Sequence, residues 1–372
     1  MICGLFWEKK MLTEILQDKK IILYGAGCCG AIVAELFNKQ GKEIYCFFDA
    51  NQKKKGTSVM GIRVEQPHWI EEPEQYCIIV CLLKRGVIYT NILKNMQQLG
   101  YPNISHIYDW KNYRELFQDQ ALIISPDVKK IKRNWQSYEW LNGKLADQES
   151  KETLKAVLEF MLDLDEFGID HYPLEEQYFA YDIYHKIEDE YVIDCGAFKG
   201  EVMDIFIKKN AKYAHYMAIE PDKAYVKELE RKREEKGKSK ITVVSMALSD
   251  CRETLCLSNY GNENSIIRED GTERVEATKL DEFAKEYPCT FLKIDVEGYE
   301  KKVLKGAEKV IRKWQPIIAV AAYHHEEDFY ELYKIIEEMT SGYSFYLRSY
   351  MNLHETILYA IPEHRRSKQE IN

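Results

Sequence analysis

Two carboxylates separated by one residue, Asp295 and Glu297, follow the apolar stretch Phe291-Leu292-Lys293-Ile294 and precede Gly298. Carboxylates so placed can orient a reacting hydroxyl or take its proton. Earlier in the chain, Val192-Ile193 runs into Asp194-Cys195-Gly196-Ala197-Phe198-Lys199-Gly200, an acidic residue followed by a glycine turn. Glu220 closes a third apolar run and His324 follows a fourth. His324 is the first candidate for a general base, because an imidazole titrates near neutrality. Asp295 and Glu297 compete with it, Asp295 as a group that orients the base or the acceptor. Glu297 has a plainer reading, as an acid favouring the N-terminus of the next helix.

These residues need a scaffold that brings them to one place. Strands are expected at Tyr191 to Asp194, His215 to Ile219, Thr242 to Met246, Phe291 to Ile294 and Ile317 to Ala322, with helical runs between them. Strands alternating with helices imply a parallel sheet, whose ligands bind beyond the carboxyl ends of the strands. Those ends carry Asp194, Glu220, Ala247-Leu248, Asp295 and His324.

The spacing of the glycines narrows the ligand. Gly196 and Gly200, with Ala197 between them, lack the dinucleotide spacing. Such a loop suits an uncharged bulky group, such as the methionine part of S-adenosylmethionine, better than a pyrophosphate. Glu220 can accept both ribose hydroxyls of an adenosine. Pro221 and Asp222 then turn the chain into a helix, with Asp222 as N-cap. Ala247 and Leu248 stand where an adenine ring would lie.

Residues 190 to 362 resemble the FkbM-type methyltransferases. The resemblance is carried by Val192-Ile193-Asp194-Cys195-Gly196-Ala197, Ile219-Glu220-Pro221, Ala247-Leu248-Ser249-Asp250, Thr278-Lys279-Leu280-Asp281 and Lys293-Ile294-Asp295-Val296-Glu297-Gly298. Tyr323-His324, Tyr346-Leu347-Arg348 and Glu355 to Ala360 continue it. It implies a class I methyltransferase fold and transfer of a methyl group from S-adenosylmethionine, usually to a hydroxyl of a sugar or secondary metabolite. It also implies that Asp194, Gly196, Ala197 and Gly200 line the methionine end and that Glu220 holds the ribose. Phe198-Lys199 replaces an Asn-containing turn common in that loop, which puts contacts through position 198 in question.

Residues 20 to 110 repeat the strand and helix alternation. Ile21-Ile22-Leu23-Tyr24 leads into Gly25-Ala26-Gly27-Cys28-Cys29-Gly30, and Asp49 ends the next strand. Gly25, Gly27 and Gly30 have the nucleotide-binding spacing in the right context, and Asp49 can take ribose hydroxyls. The segment has room for one mononucleotide-binding half only. With Phe48-Asp49 and Lys55 to Val64 it resembles the sugar-nucleotide-binding domains of bacterial polysaccharide-modifying enzymes such as acetyltransferases. This resemblance implies a nucleotide or nucleotide-sugar ligand; a docking module that kept only the fold is the other reading.

The expected division is residues 1–110, a helical connector at 111–189 and the methyltransferase-like part at 190–372. The whole is α/β, two Rossmann-like parallel-sheet domains joined by the connector. The connector carries Leu154, Val157, Leu158, Met161 and Leu164 at helical spacing, with Asp147 and Ser150 as caps. It could serve as a lid. Tyr172, Tyr178, Phe179 and Tyr181 read as packing. Asn264-Ser265 lies in a polar loop and reads as a solvated turn, with contact to the acceptor as the other reading.

A formal net charge of −9 argues against a nucleic-acid partner. No apolar stretch reaches membrane-spanning length, and Met1 to Leu16 is not a signal peptide. Ten scattered cysteines form neither a zinc pattern nor a disulfide framework, so a cytoplasmic protein is expected. No metal is expected; His324, His325, Glu326 and Asp328 have suitable types, but adjacent histidines point apart. The expected partner is a small-molecule or saccharide acceptor, and the sequence leaves oligomeric state open. Two rival readings stand: an NAD(P)-dependent sugar-nucleotide oxidoreductase, for which Tyr330 and Lys334 supply a Tyr-x-x-x-Lys spacing, and a non-catalytic nucleotide-binding scaffold.

Overall fold

The computed structural model describes residues 16, 18–82, 86–107, 127–163, 176–236, 238–259, 265–267, 273–350 and 355–366. Tyr172, Leu164 and Asn264 lie outside them. By contact the chain divides into two units, one ending at Asp127 and the other beginning at Val128.

The first unit contains β1 (Lys20–Tyr24), α1 (Cys28–Lys39), β2 (Ile44–Phe48), β3 (Ser58–Val59), β4 (Ile62–Glu65), β5 (Tyr76–Val80), α2 (Gly86–Gln98) and β6 (Ile104–His106). They form one sheet of order β3-β4-β2-β1-β5-β6, parallel except for the β3–β4 hairpin. Its central strands are continuous apolar runs because both faces are covered: β5 is buried at every position.

The second unit opens with three helices, α3 (Val128–Arg133), α4 (Trp135–Asn142) and α5 (Gln148–Asp163). Asp147 caps α5 by accepting the Ser150 N–H at 2.8 Å. Then come β7 (Tyr191–Cys195), α6 (Glu201–Lys209), β8 (His215–Ile219), α7 (Lys223–Lys236), β9 (Ile241–Val244), β10 (Ala247–Leu248), β11 (Glu253–Asn259), β12 (Ser265–Ile267) and β13 (Glu273–Thr278). The chain continues through α8 (Leu280–Ala284), β14 (Phe291–Ile294), α9 (Glu300–Gly306), α10 (Glu308–Trp314), β15 (Ile317–Ala321), α11 (Asp328–Met339), β16 (Tyr343–Tyr350) and β17 (Glu355–Pro362).

Seven of these strands form a sheet of order β16-β17-β15-β14-β7-β8-β9. β9 through β15 are parallel, and β17 and β16 are added antiparallel at the edge. Chain order reverses between β7 and β14, so the crevice at their carboxyl ends is the topological switch point. A separate four-stranded sheet, β10-β13-β11-β12, follows β9.

The described helices of the expected connector belong to this second unit. The α5 helix packs on β16 and α4 on α11. Buried Arg348 of β16 ties α5 in place, bonding Asp147 at 2.6 Å and the Ser150 hydroxyl at 3.0 Å.

Candidate active site

The β7 strand pairs with β14 so that Asp194 stands beside Lys293. Both are buried, and their charges lie 2.9 Å apart. Tyr216 donates to the other Asp194 oxygen at 2.6 Å, and the Lys293 ammonium donates to the Gly196 carbonyl at 2.5 Å. Burial works against the Lys293 charge, but Asp194 and Asp295 outweigh it and raise its pKa. Asp194, expected at the methionine end, thus has its carboxylate between Lys293 and Tyr216 inside the sheet.

The loop itself is packed backbone to backbone. Gly196 lies at φ +79°, and a Cβ there would meet the Asp295 carbonyl at 1.8 Å. Ala197 is buried, Phe198 sits at φ +49°, and Gly200 at φ +79° starts α6. Phe198 packs edge-on against Tyr225 of α7, with the Lys199 ammonium 4.5 Å from its ring centroid.

Glu220, at the end of β8, is buried beneath this loop. Its Oε2 accepts the Phe198 N–H and its Oε1 the Asp222 N–H, both at 2.9 Å. Burial pushes its carboxyl up to about 7. Pro221 follows, and Asp222 caps α7 through the Ala224 N–H at 2.7 Å. An ionised carboxylate has roughly four acceptor sites, so after two loop bonds Glu220 retains capacity for two hydroxyls. Ala247 and Leu248 are buried on β10, in the four-stranded sheet that follows β9.

At the end of β14, Asp295 accepts the Tyr178 hydroxyl at 2.7 Å and the Tyr323 hydroxyl at 3.2 and 3.3 Å. Burial and then Asp295 raise both phenols well above their ordinary range, so they stay donors. His324 lies among three carboxylates: Nδ1 is 3.0 Å from Glu300, and Nε2 is 3.5 Å from Glu297 and 3.8 Å from Asp295. Burial disfavours a charged ring, but Glu300, Glu297 and Asp295 outweigh it and raise the His324 pKa. His324, expected as the base, is thus enclosed by acids on both ring nitrogens. Glu297, on the loop at φ +53°, keeps 34% of its side chain exposed, compared with 22% for Asp295.

Asp295, Glu297 and His324 are thus brought together, and Glu220 stands with the glycine loop. Sequence reasoning missed Lys293, Glu300, Tyr178 and Tyr323. Lys293 alone carried a local signal, a charge inside an apolar strand. Tyr330 and Lys334 are both on α11, where Tyr330 is buried edge-on against Tyr138 and Lys334 lies over Trp140, so their spacing serves helix packing.

In the first unit, Asp49 accepts the Ala26 N–H at 2.9 Å and the Asn51 N–H at 2.8 Å, with the Lys54 ammonium at 3.4 Å. Gly25 is at φ +110°, and a Cβ on Gly30 would meet the Gly25 carbonyl at 2.0 Å. Gly27 has open space around it.

Residues 194–345 match the model of the methyltransferase FkbM domain. The second unit contains an FkbM-type methyltransferase domain. It uses S-adenosylmethionine. Residues 17–107 match the N-terminal family described as C2185-like. The fold is similar to that of methyltransferase FkbM from Methylobacillus flagellatus KT, with a TM-score of 0.70 and 21% identity over 93% of this chain and 92% of that one. An rRNA methylase from Streptococcus thermophilus overlaps 52% of this chain and 99% of its own at a TM-score of 0.34 and 13% identity, too distant to carry weight. No curated protein matches the chain. Among the described residues no helix is long and apolar enough to cross a membrane.

Proposed function

We propose that the FkbM-type domain methylates a hydroxyl of a saccharide or sugar-linked molecule, and that the first unit recognises a nucleotide or nucleotide-sugar. The observation that carries the reaction is the carboxylate cluster at the end of β14, beside the switch-point crevice. The strand order supports reading the fold as class I. The saccharide preference rests on the resemblance of residues 20–110 to sugar-nucleotide-binding domains and on the association with FkbM-type enzymes.

S-adenosylmethionine supplies a methyl group on a positively charged sulfur and departs as the neutral thioether. In this reading Glu220 accepts the two ribose hydroxyls while its other lone pairs hold the Phe198 and Asp222 N–H groups. Gly196, Ala197 and Gly200 let the loop backbone approach the methionine portion, and Ala247-Leu248 flank the adenine. Asp295, fixed by Tyr178 and Tyr323, orients the acceptor oxygen. Glu297, the most exposed carboxylate of the cluster, takes the acceptor proton as the oxygen–carbon bond forms. His324 is a positioning residue that holds the carboxylates at their separations. Orientation of this kind accounts for much of such an acceleration.

The test is calorimetric titration with S-adenosylhomocysteine, followed by methyl transfer from labelled S-adenosylmethionine to a panel of UDP- and GDP-sugars. Transfer to a panel member supports the proposal. Cofactor binding with transfer only to non-sugar hydroxyls would overturn the saccharide reading, and NAD binding without S-adenosylhomocysteine would favour the oxidoreductase.

A further inference from the structure

Glu300, the first residue of α9, is 1% exposed. One of its oxygens, Oε1, accepts the Val296 N–H at 2.9 Å and the Gly298 N–H at 3.3 Å. The other, Oε2, is buried without a hydrogen-bond donor. A carboxylate oxygen left so is costly inside a protein. Both ring nitrogens of His324 are equally shut off from solvent, and neither makes a hydrogen bond of good geometry to the carboxylates around it. One imidazole faces three acids, Asp295, Glu297 and Glu300.

We propose that Asp295, Glu300 and His324 form a binding site for one divalent cation. One donor atom from each of the three lies within 4.8 Å of the others. Around a six-coordinate ion with bonds of about 2.1 Å, opposite donors stand about 4.2 Å apart, so small side-chain rotations close the set. The three come from the end of β14, the start of α9 and the loop that follows β15. One nitrogen and two carboxylates suit Mn²⁺, with Mg²⁺ the oxygen-preferring competitor. This set differs from the one that neighbouring residue types suggest, since it takes His324 but neither His325 nor Glu326. The cation would fill the place of a proton on His324 and supply the missing partner of Glu300. Its position beside the acceptor hydroxyl, where it would favour the alkoxide, rests on the methyl-transfer reading; its binding does not.

The experiment uses the full chain, freed of metals with a chelator and titrated with Mn²⁺ while the free-ion resonance is followed by electron paramagnetic resonance. We expect one Mn²⁺ per chain, weakened at least about tenfold in Glu300→Gln and in His324→Ala, and unaltered in Asp250→Asn at the separate group of Asp250, Cys251 and Glu253. Pulsed measurements on the unmutated protein should show coupling to one imidazole nitrogen, which needs no variant to fold. No binding at millimolar Mn²⁺, binding unchanged in both variants, or bound Mn²⁺ without nitrogen coupling would each overturn the site. S-adenosylhomocysteine titrated into the same samples separates the two readings. Mn²⁺ bound without it would count against methyl transfer alone, and the reverse would count against the cation alone.

Discussion

Glu220 holds the glycine loop of its own unit by accepting the Phe198 backbone N–H at 2.9 Å. Asp49 does the same in the other unit, taking the Ala26 N–H at 2.9 Å. In both, a carboxylate ending the second strand of a parallel sheet clasps the loop leaving the first. The two clasps differ in what remains free. In each the second oxygen takes another backbone N–H, Asn51 on Asp49 and Asp222 on Glu220, but Asp49 also has the Lys54 ammonium at 3.4 Å. Glu220 is therefore the better placed of the two for a ribose.

Replacing Glu220 should show this directly. Hydrogen bonds to a charged group are worth about 1.5–3 kcal/mol each, so Glu220→Ala should weaken S-adenosylhomocysteine binding by about a hundredfold or more in calorimetry. Unchanged affinity would remove Glu220 from the ribose.

The same residue sets a pH dependence. Burial raises its carboxyl from 4.5 to about 7, so across that interval the folded chain keeps a proton that the unfolded chain has lost. Its contribution to stability is complete below 4.5 and is lost as pH rises through about 7. Binding runs the other way, because only the carboxylate accepts both hydroxyls. S-adenosylhomocysteine affinity should rise between pH ~6 and pH ~8 and level off above the pKa. Glu220→Gln should flatten that profile; an identical slope in the variant would assign the titration to another group.

The sequence showed the central parallel strands of both large sheets because they are apolar runs, several ending at acids as in Ile219-Glu220 and Ile294-Asp295, but not the edge strands β3, β4, β16 and β17. It was silent on the four-stranded sheet, whose short strands mix exposed and buried positions, as in β13. Tyr178 was invisible as a partner of Asp295 because 117 residues separate them, and nothing local marks one tyrosine among 26. Glu300 read as an ordinary first-turn acid of a helix. Only the packing of α9 against the end of β15 makes it a partner of His324.

Lys293 offers a test of the buried frame. Lys293→Met leaves the Asp194 charge with Tyr216 as its remaining polar partner, and removal of one member of a buried pair costs about 3–5 kcal/mol. Urea unfolding should register that loss. The double variant Asp194→Asn with Lys293→Met should regain part of it, since no orphan charge remains. A single-variant loss below about 1 kcal/mol would mean that the pair does not hold the loop.

Glu297→Gln tests the proton acceptor. Loss of a general base typically slows a reaction about 10²- to 10⁴-fold. With an acceptor found in the sugar panel, kcat should fall by that order while S-adenosylhomocysteine affinity stays within about twofold, since Glu297 is not among the cofactor contacts proposed above. His324→Ala should also lower kcat. Full turnover in Glu297→Gln would return the proton to Asp295.

Glycines of the first unit separate folding from ligand recognition. A Cβ on Gly30 would collide with the Gly25 carbonyl at 2.0 Å, so Gly30→Ala should destabilise the unit by an amount visible in its melting. Gly27 has nothing within 4 Å of the same probe position. Gly27→Val should therefore leave melting nearly unaltered while its branched side chain fills the space over the start of α1, where a phosphate would approach the helix N-terminus. A nucleotide or nucleotide-sugar found by calorimetry should bind the parent and not this variant. A ligand indifferent to Gly27→Val would bind elsewhere, and the loop would then be a feature of the fold alone.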